Sequence, residues 1–157
     1  SGFYSSIQIF NHQDFTKEQH QKVLEVLEFL EILELKDKKV HQMSTGQLRR
    51  CIIGRALIHD PKAFILDEPT VGLDIKSQHS FIKLIQKLSK SASIIIVTHH
   101  IEEIFEEITH VALIHNKTIF KQGKKEDILT SKNLSEIFEI DIDLQKENER
   151  YYIKSIK

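Results

Sequence analysis

The chain has 157 residues, of which 40% are hydrophobic and 29% are charged, with five glycines and two prolines. This length and composition predict one globular domain with a packed core and disfavour a disordered tail. Lys and Arg total 22 against 23 Asp and Glu, so the charge balance does not support a nucleic-acid partner. The single cysteine, Cys51, cannot form an internal disulfide, which predicts a reducing, cytoplasmic compartment. Apolar runs such as Ile94–Val97 are far shorter than the roughly 20 residues of a membrane span.

The first predicted element is an amphipathic helix over Thr16–Leu35. Thr16 and Gln19 have the spacing of a capping box. One apolar face of this helix is expected to be buried, formed by Val23, Leu27, Leu30 and Leu33. A second helix is expected after the polar turn Ser44-Thr45-Gly46-Gln47, and His59-Asp60-Pro61 should end it.

A βαβ unit follows. Ala63–Leu66 is an apolar run that predicts a buried strand, 74–88 has helical period, and Ser93–Val97 predicts a second strand that ends at Thr98-His99-His100. Phe81, Ile82, Ile85 and Leu88 are expected to face inward from the intervening helix.

The last third of the chain predicts smaller elements. A strand over Val111–Ile114 turns at Asn116-Lys117 into a second strand over 118–121, and Gly123 is expected to close this hairpin. Short helices near 126–129 and 134–138 and a terminal hairpin around Asn148 complete the prediction.

Two adjacent carboxylates follow the first predicted strand. Asp67 and Glu68 would stand at its carboxyl end, where acidic side chains suit metal-assisted phosphate chemistry. Asp67 would hold Mg²⁺ through water, and Glu68 would orient or deprotonate an attacking water. Asp-Glu-Pro alone can also be a plain turn, but the flanking residues disfavour that interpretation.

Those flanking residues carry a family resemblance. Leu-Asp-Glu-Pro-Thr at 66–70, followed by Gly72-Leu73-Asp74, resembles the Walker B motif and D-loop of ATP-binding cassette (ABC) ATPases. Ser44-Thr45-Gly46-Gln47, about twenty residues upstream, resembles their signature motif. The resemblance implies an α/β, P-loop NTPase-like fold with a RecA-like ABC core in three layers, here incomplete, and part of the α-helical subdomain.

The resemblance also implies roles for single residues. The signature helix would direct Ser44 and Gly46 toward the γ-phosphate of ATP bound to a second subunit. Thr45 stands where the family usually has a second glycine, and its side chain could crowd the phosphate or add a hydrogen bond. Asp74 would lie at the dimer interface, although it could also simply cap the next helix.

His99 follows the second predicted strand as the family's switch histidine does. It would contact the γ-phosphate and help to align Glu68 and the water. His100 is expected to begin the next helix instead, and no structural metal is predicted from the spacing of the other histidines.

The family's phosphate-binding loop has no counterpart in the printed sequence, because none of the five glycines lies in a G-x-x-x-x-G-K-[ST] pattern. Since the chain also begins with Ser-Gly-Phe, the sequence predicts a C-terminal fragment that is inactive alone. The family's sheet places the phosphate-loop strand between the strands that contain Ile94 and Val111, so an unpaired gap is expected there.

The leading hypothesis is a subunit that binds ATP and Mg²⁺, dimerises and drives a membrane permease from the cytoplasmic side. The alternatives are a non-hydrolysing half that donates its signature motif to a complete cassette, and an ABC ATPase outside transport. The tail from 98 to 123 is similar to the molybdate- and iron-related importer branch, whereas Val71-Gly72 disfavours the translation-associated branch. The expected divisions are 1–60 for the helical subdomain through the signature helix, 61–123 for the catalytic core and 124–157 for a C-terminal extension.

Overall fold

The computed structural model of the protein describes residues 16–156, which form five α-helices and six β-strands. The helices are α1 (Lys17–Phe29), α2 (Thr45–Leu57), α3 (Ile75–Leu88), α4 (Lys125–Ile128) and α5 (Ser131–Phe138). The strands are β1 (Ala63–Asp67), β2 (Ser93–Val97), β3 (His110–His115), β4 (Thr118–Lys124), β5 (Ile142–Glu147) and β6 (Arg150–Ile156). In this part of the chain, no helix has both the length and the hydrophobicity that crossing a bilayer requires.

The described residues divide into two compact units. One unit runs up to Leu66 and includes Thr70–Ile95, and the other combines Asp67–Pro69 with the chain from Ile96 onward. The boundaries predicted at 60/61 and 123/124 stay predictions, and residues 1–15 of the first predicted division lie outside the described residues.

The first unit is built around its three longest helices. The capping box predicted for α1 is confirmed, since the Gln19 N–H donates to Thr16 Oγ1 at 3.2 Å and the Thr16 N–H donates to Gln19 Oε1 at 3.0 Å. The second predicted helix is present as α2, with Ser44 as its N-cap, so it begins within the polar turn. The buried apolar side chains of this unit are Val26, Leu30, Ile32, Leu35, Ile53, Phe64, Phe81, Leu84, Ile85 and Leu88.

The predicted end of the first helix at Leu35 is wrong. α1 ends at Phe29 because Glu31 adopts a left-handed conformation with φ 57°, and the chain turns back on itself. The Glu31 N–H donates to the Glu28 carbonyl and the Ile32 N–H to the Leu27 carbonyl, both at 2.9 Å, which is the Schellman pattern of a helix end. As a result, Leu33 leaves the predicted apolar face and is 40% exposed.

β1 and β2 form the predicted βαβ unit with α3. Their parallel pairing follows from two hydrogen bonds, from the Ser93 N–H to the Lys62 carbonyl at one end and from the Glu68 N–H to the Val97 carbonyl at the other. The prediction that β1 is a buried strand is wrong for most of its length, because Phe64 is buried but Ile65 is 73% exposed. Parallel sheets are normally covered on both faces, and no layer of residues 16–156 covers that side chain.

The second unit contains two hairpins and two short helices. β3 pairs with β4 and β5 with β6, both antiparallel, and left-handed residue pairs form their turns at Asn116-Lys117 and Asn148-Glu149. These hairpins were predicted, but Gly123 lies inside β4 instead of closing it, because the pairing continues to Lys124 opposite His110. Within the described residues, β2 and β3 do not pair with each other. The core of this unit comprises Ile101, Leu113, Ile128, Leu129, Leu134, Ile142 and Tyr151.

Candidate active site

Glu68 stands at the point where the chain leaves β1. Its φ of 44° is in the left-handed region, which a non-glycine residue seldom adopts and which costs conformational energy. Its N–H donates to the Val97 carbonyl at 2.8 Å, so the turn is fixed to the end of β2. The strained turn therefore places the Glu68 side chain beside the residues that follow β2.

His99 is the residue that the Glu68 side chain contacts. Glu68 Oε1 and His99 Nδ1 are 2.7 Å apart, with 32% of the glutamate side chain and 65% of the histidine side chain exposed. If the neutral ring carries its proton on Nδ1, it donates to the carboxylate and leaves Nε2 as an acceptor. The structure thus brings these two residues together, and their catalytic roles stay predictions.

His100 lies against the same pair. Its N–H donates to Thr98 Oγ1 at 2.9 Å, and its ring centroid is 4.1 Å from that of His99. It occupies the N-cap position of a single 3₁₀ turn over Ile101–Glu103, without a capping hydrogen bond from its side chain. The predicted helix start is therefore confirmed, but the helix is only one turn long. Asp67 is the exposed last residue of β1, directly before Glu68, and its predicted Mg²⁺ role stays a prediction.

The signature-like residues form the first turn of α2. Gln47 N–H donates to Ser44 Oγ at 3.3 Å and Ser44 N–H donates to Gln47 Oε1 at 3.0 Å, which satisfies two backbone donors. Helix geometry leaves the N–H groups of Thr45 and Gly46 without acceptors inside the helix. The Lys38 ammonium donates to Gln47 Oε1 at 3.4 Å and adds positive charge at this end, where the helix dipole is also positive. Sequence reasoning did not select Lys38, although the lysine-rich run before the motif was a signal for it.

Gly46 is not required by packing within its own unit. A Cβ at this position would lie 3.7 Å from Leu73 Cδ2 and 3.9 Å from Ser77 Cβ, which are ordinary contacts. These neighbours also show that the start of α2 and the D-loop-like segment lie together. An Arg49 guanidinium N–H that donates to the Val71 carbonyl joins them further.

Asp74 is the N-cap of α3. Its carboxylate accepts from the Ser77 N–H at 2.9 Å and from the Ser77 hydroxyl at 2.7 Å. The hydrogen bond from the Ser77 hydroxyl has the largest effect, and that from the Ser77 N–H adds to it. Together they hold the pKa of the Asp74 carboxyl below its ordinary value. The capping role weighed from the sequence is therefore present, and the interface role stays a prediction.

The comparisons with known proteins agree with this geometry. Residues 3–71 match the family model described as ABC transporter. The chain is 32% identical over 156 residues to the ABC transporter ATP-binding protein YlmA of Bacillus subtilis, which covers 98% of this chain and 58% of YlmA. The chain thus spans little more than half the length of this curated relative.

Two solved structures share the fold. The ATP-binding cassette MJ1267 in its ADP conformation has a TM-score of 0.71 and 27% identity, covering 87% of this chain and 54% of that one. The cassette MJ0796, a dimer bound to ADP and phosphate, has a TM-score of 0.60 and 25% identity, covering 73% of this chain and 50% of that one. The fold is therefore that of the RecA-like, P-loop NTPase cassettes. Within that class, the chain is similar to ABC transporter ATP-binding proteins.

Proposed function

We propose that this chain supplies the catalytic carboxylate, the switch histidine and the signature helix of an ATP-hydrolysing subunit of an ABC transporter. The observation that carries the proposal is the 2.7 Å contact between Glu68 Oε1 and His99 Nδ1 at the carboxyl ends of two paired parallel strands. Ligands of open α/β sheets bind outside this end of the strands.

Glu68 and His99 would act on the water that attacks the γ-phosphate. The Glu68 carboxylate, partly exposed, can accept a hydrogen bond or a proton from that water. His99 holds one carboxylate oxygen, so it limits the directions that Glu68 can take. Mg²⁺, bound through water to Asp67, would neutralise the charge that develops on the phosphate oxygens.

The start of α2 would contact the ATP of a second subunit. The residues fit an anion, because the N–H groups of Thr45 and Gly46 are open within the helix and Lys38 adds positive charge. A glycine at 46 that its own unit does not require is consistent with close approach by an external group. Ser44 would add its hydroxyl, and Gln47 would hold Ser44 in place through the capping box.

Dimerisation and membrane association follow from the same proposal. MJ0796 is a dimer with ADP and phosphate bound, and YlmA is named as an ABC transporter ATP-binding protein. By analogy, Asp74 would lie at the interface between two cassettes. The dimer would act on a permease from the cytoplasmic face of the membrane and change shape as it closes on ATP.

A carboxylate substitution tests the catalytic part. In the full-length protein that contains this chain, Glu68→Gln should reduce ATP hydrolysis by about 10²- to 10⁴-fold, the usual contribution of a general base. ATP binding should persist, because the amide keeps the side chain's size and hydrogen-bonding capacity. Glu102→Gln is the matched control, since Glu102 is an exposed glutamate of the neighbouring 3₁₀ turn and should leave the rate unchanged.

Two results would count against the proposal. Equal hydrolysis by wild type and Glu68→Gln would remove Glu68 from the catalytic role. A wild-type protein that never hydrolyses ATP, yet associates with a complete cassette only when ATP is present, would favour the regulatory half instead.

A further inference from the structure

Three metal-binding side chains meet at the end of β2. In the part of the chain that the structure describes, Glu68, His99 and His100 each offer one ligand atom, and these atoms all lie within 4.8 Å of one another. Imidazole nitrogens with a carboxylate oxygen suit Zn²⁺ and related transition metals, whereas Mg²⁺ prefers oxygen ligands alone. The chemistry of this set therefore differs from the magnesium role predicted for Asp67.

We propose that Glu68, His99 and His100 form a binding site for a divalent transition metal of the zinc class. Two imidazoles and one carboxylate would supply three ligands, and water would take the fourth position of a tetrahedral site. The 65% exposure of the His99 side chain gives the ion a path from solvent.

The local backbone determines that both histidines can reach one ion. Successive side chains of an extended strand point to opposite faces, which would separate His99 from His100. Here the chain has already left β2, and the bond from the His100 N–H to Thr98 Oγ1 at 2.9 Å holds a turn. The two ring centroids are consequently 4.1 Å apart.

Metal binding requires a small adjustment of Glu68 and His99. Bonds of about 2.0–2.1 Å in a tetrahedral site place neighbouring ligand atoms roughly 3.3 Å apart. The present separation of 2.7 Å between Glu68 Oε1 and His99 Nδ1 is that of a hydrogen bond. A bound ion would replace the proton between these atoms and push them apart by roughly 0.6 Å, a shift within reach of the exposed His99 ring.

Occupation of the site has a consequence that rests on the proposed function. The ion would engage both members of the Glu68–His99 pair, so it would inhibit hydrolysis by removing the carboxylate from the attacking water. Binding of the ion itself does not depend on that function.

Cobalt spectroscopy tests the binding in the full-length, untagged protein without nucleotide. Co²⁺ is the probe because its visible absorption reports tetrahedral coordination by nitrogen and oxygen. We expect this site to bind one Co²⁺ per protein chain and Zn²⁺ to displace it. His100→Asn should bind Co²⁺ at least about tenfold more weakly than wild type. His79→Asn is the matched control, because His79 is an exposed histidine of α3 outside the cluster and should bind cobalt as wild type does.

The proposal is overturned if wild type gives no tetrahedral spectrum at micromolar Co²⁺, or if His100→Asn binds as tightly as wild type. ATP hydrolysis under increasing Zn²⁺, with each variant normalised to its own zinc-free rate, tests the inhibition. The Zn²⁺ concentration that halves the rate of hydrolysis should rise about tenfold in His100→Asn. If no variant hydrolyses ATP without zinc, the proposed function fails while the cobalt spectra still decide the metal site.

Discussion

Gly54 lies inside α2, where an added methyl group would meet a side chain with little room to move. A Cβ on Gly54 would lie 2.8 Å from Leu30 Cδ1 and 3.4 Å from Val26 Cγ1. Leu30 is fully buried, so its methyl group cannot turn toward solvent. The glycine therefore sets how closely α1 approaches α2.

Two opposing effects determine the result of Gly54→Ala. Replacing glycine by alanine inside a helix stabilises by about 0.5–1 kcal/mol, because the unfolded chain loses freedom. Forcing an extra methyl group into a packed core costs about 1–3 kcal/mol. The close contact with Leu30 should dominate, so we expect a net loss of roughly 1 kcal/mol in the free energy of unfolding.

A double-mutant cycle with Leu30→Ala isolates this contact. Leu30→Ala alone should cost about 2–5 kcal/mol, but it also removes the atom that the new methyl group would meet. In that background Gly54→Ala should stabilise by about 0.5–1 kcal/mol, so the effect changes sign. Urea denaturation followed by circular dichroism gives the four free energies of unfolding. A stabilising effect of equal size in both backgrounds would refute the reasoning.

Two further predictions concern single side chains. Because the pKa of Asp74 is lowered in the folded state, its cap stabilises fully above the ordinary aspartate pKa and is lost as pH falls through the lowered value. Asp74→Ala should thus lower the urea midpoint at pH 7, with a difference from wild type that shrinks in strong acid; a constant difference would contradict this. Burial raises the pKa of the Cys51 thiol, so iodoacetamide should alkylate the folded protein more slowly than the urea-unfolded protein at the same pH. Equal rates would show that the thiol is not protected.

The elements with strong local signals could be predicted from the sequence. β2 has its predicted bounds, and α3 begins directly after the Asp74 cap with Phe81, Ile85 and Leu88 buried as expected. The Thr16 capping box was equally predictable from the sequence, because it depends on two residues that are three positions apart. In each case the determining interactions lie within one element.

The misjudged helix end shows where that reasoning stops. A left-handed residue just beyond a helix is usually glycine, so the sequence offered no reason to end α1 before Glu31. Burial explains the choice, because the turn places Ile32, which is 2% exposed, in the core after the helix has ended. Tertiary packing thus outweighed a local preference that would have continued the helix.

The candidate site depends on features that the sequence predicts and on others that only the structure shows. Glu68 and His99 are 31 residues apart, yet their proximity was predictable because parallel strands deliver their carboxyl ends to one edge of a sheet. The position of the His100 ring was not, since the prediction that His100 begins the next helix does not fix where its ring lies relative to that of His99. The hydrogen bond from the His100 N–H to Thr98 Oγ1 holds the turn in which the two rings lie 4.1 Å apart, and His100 becomes a third potential ligand. If Thr98→Val separated the rings and weakened cobalt binding as His100→Asn should, that turn would be the structural origin of the metal site.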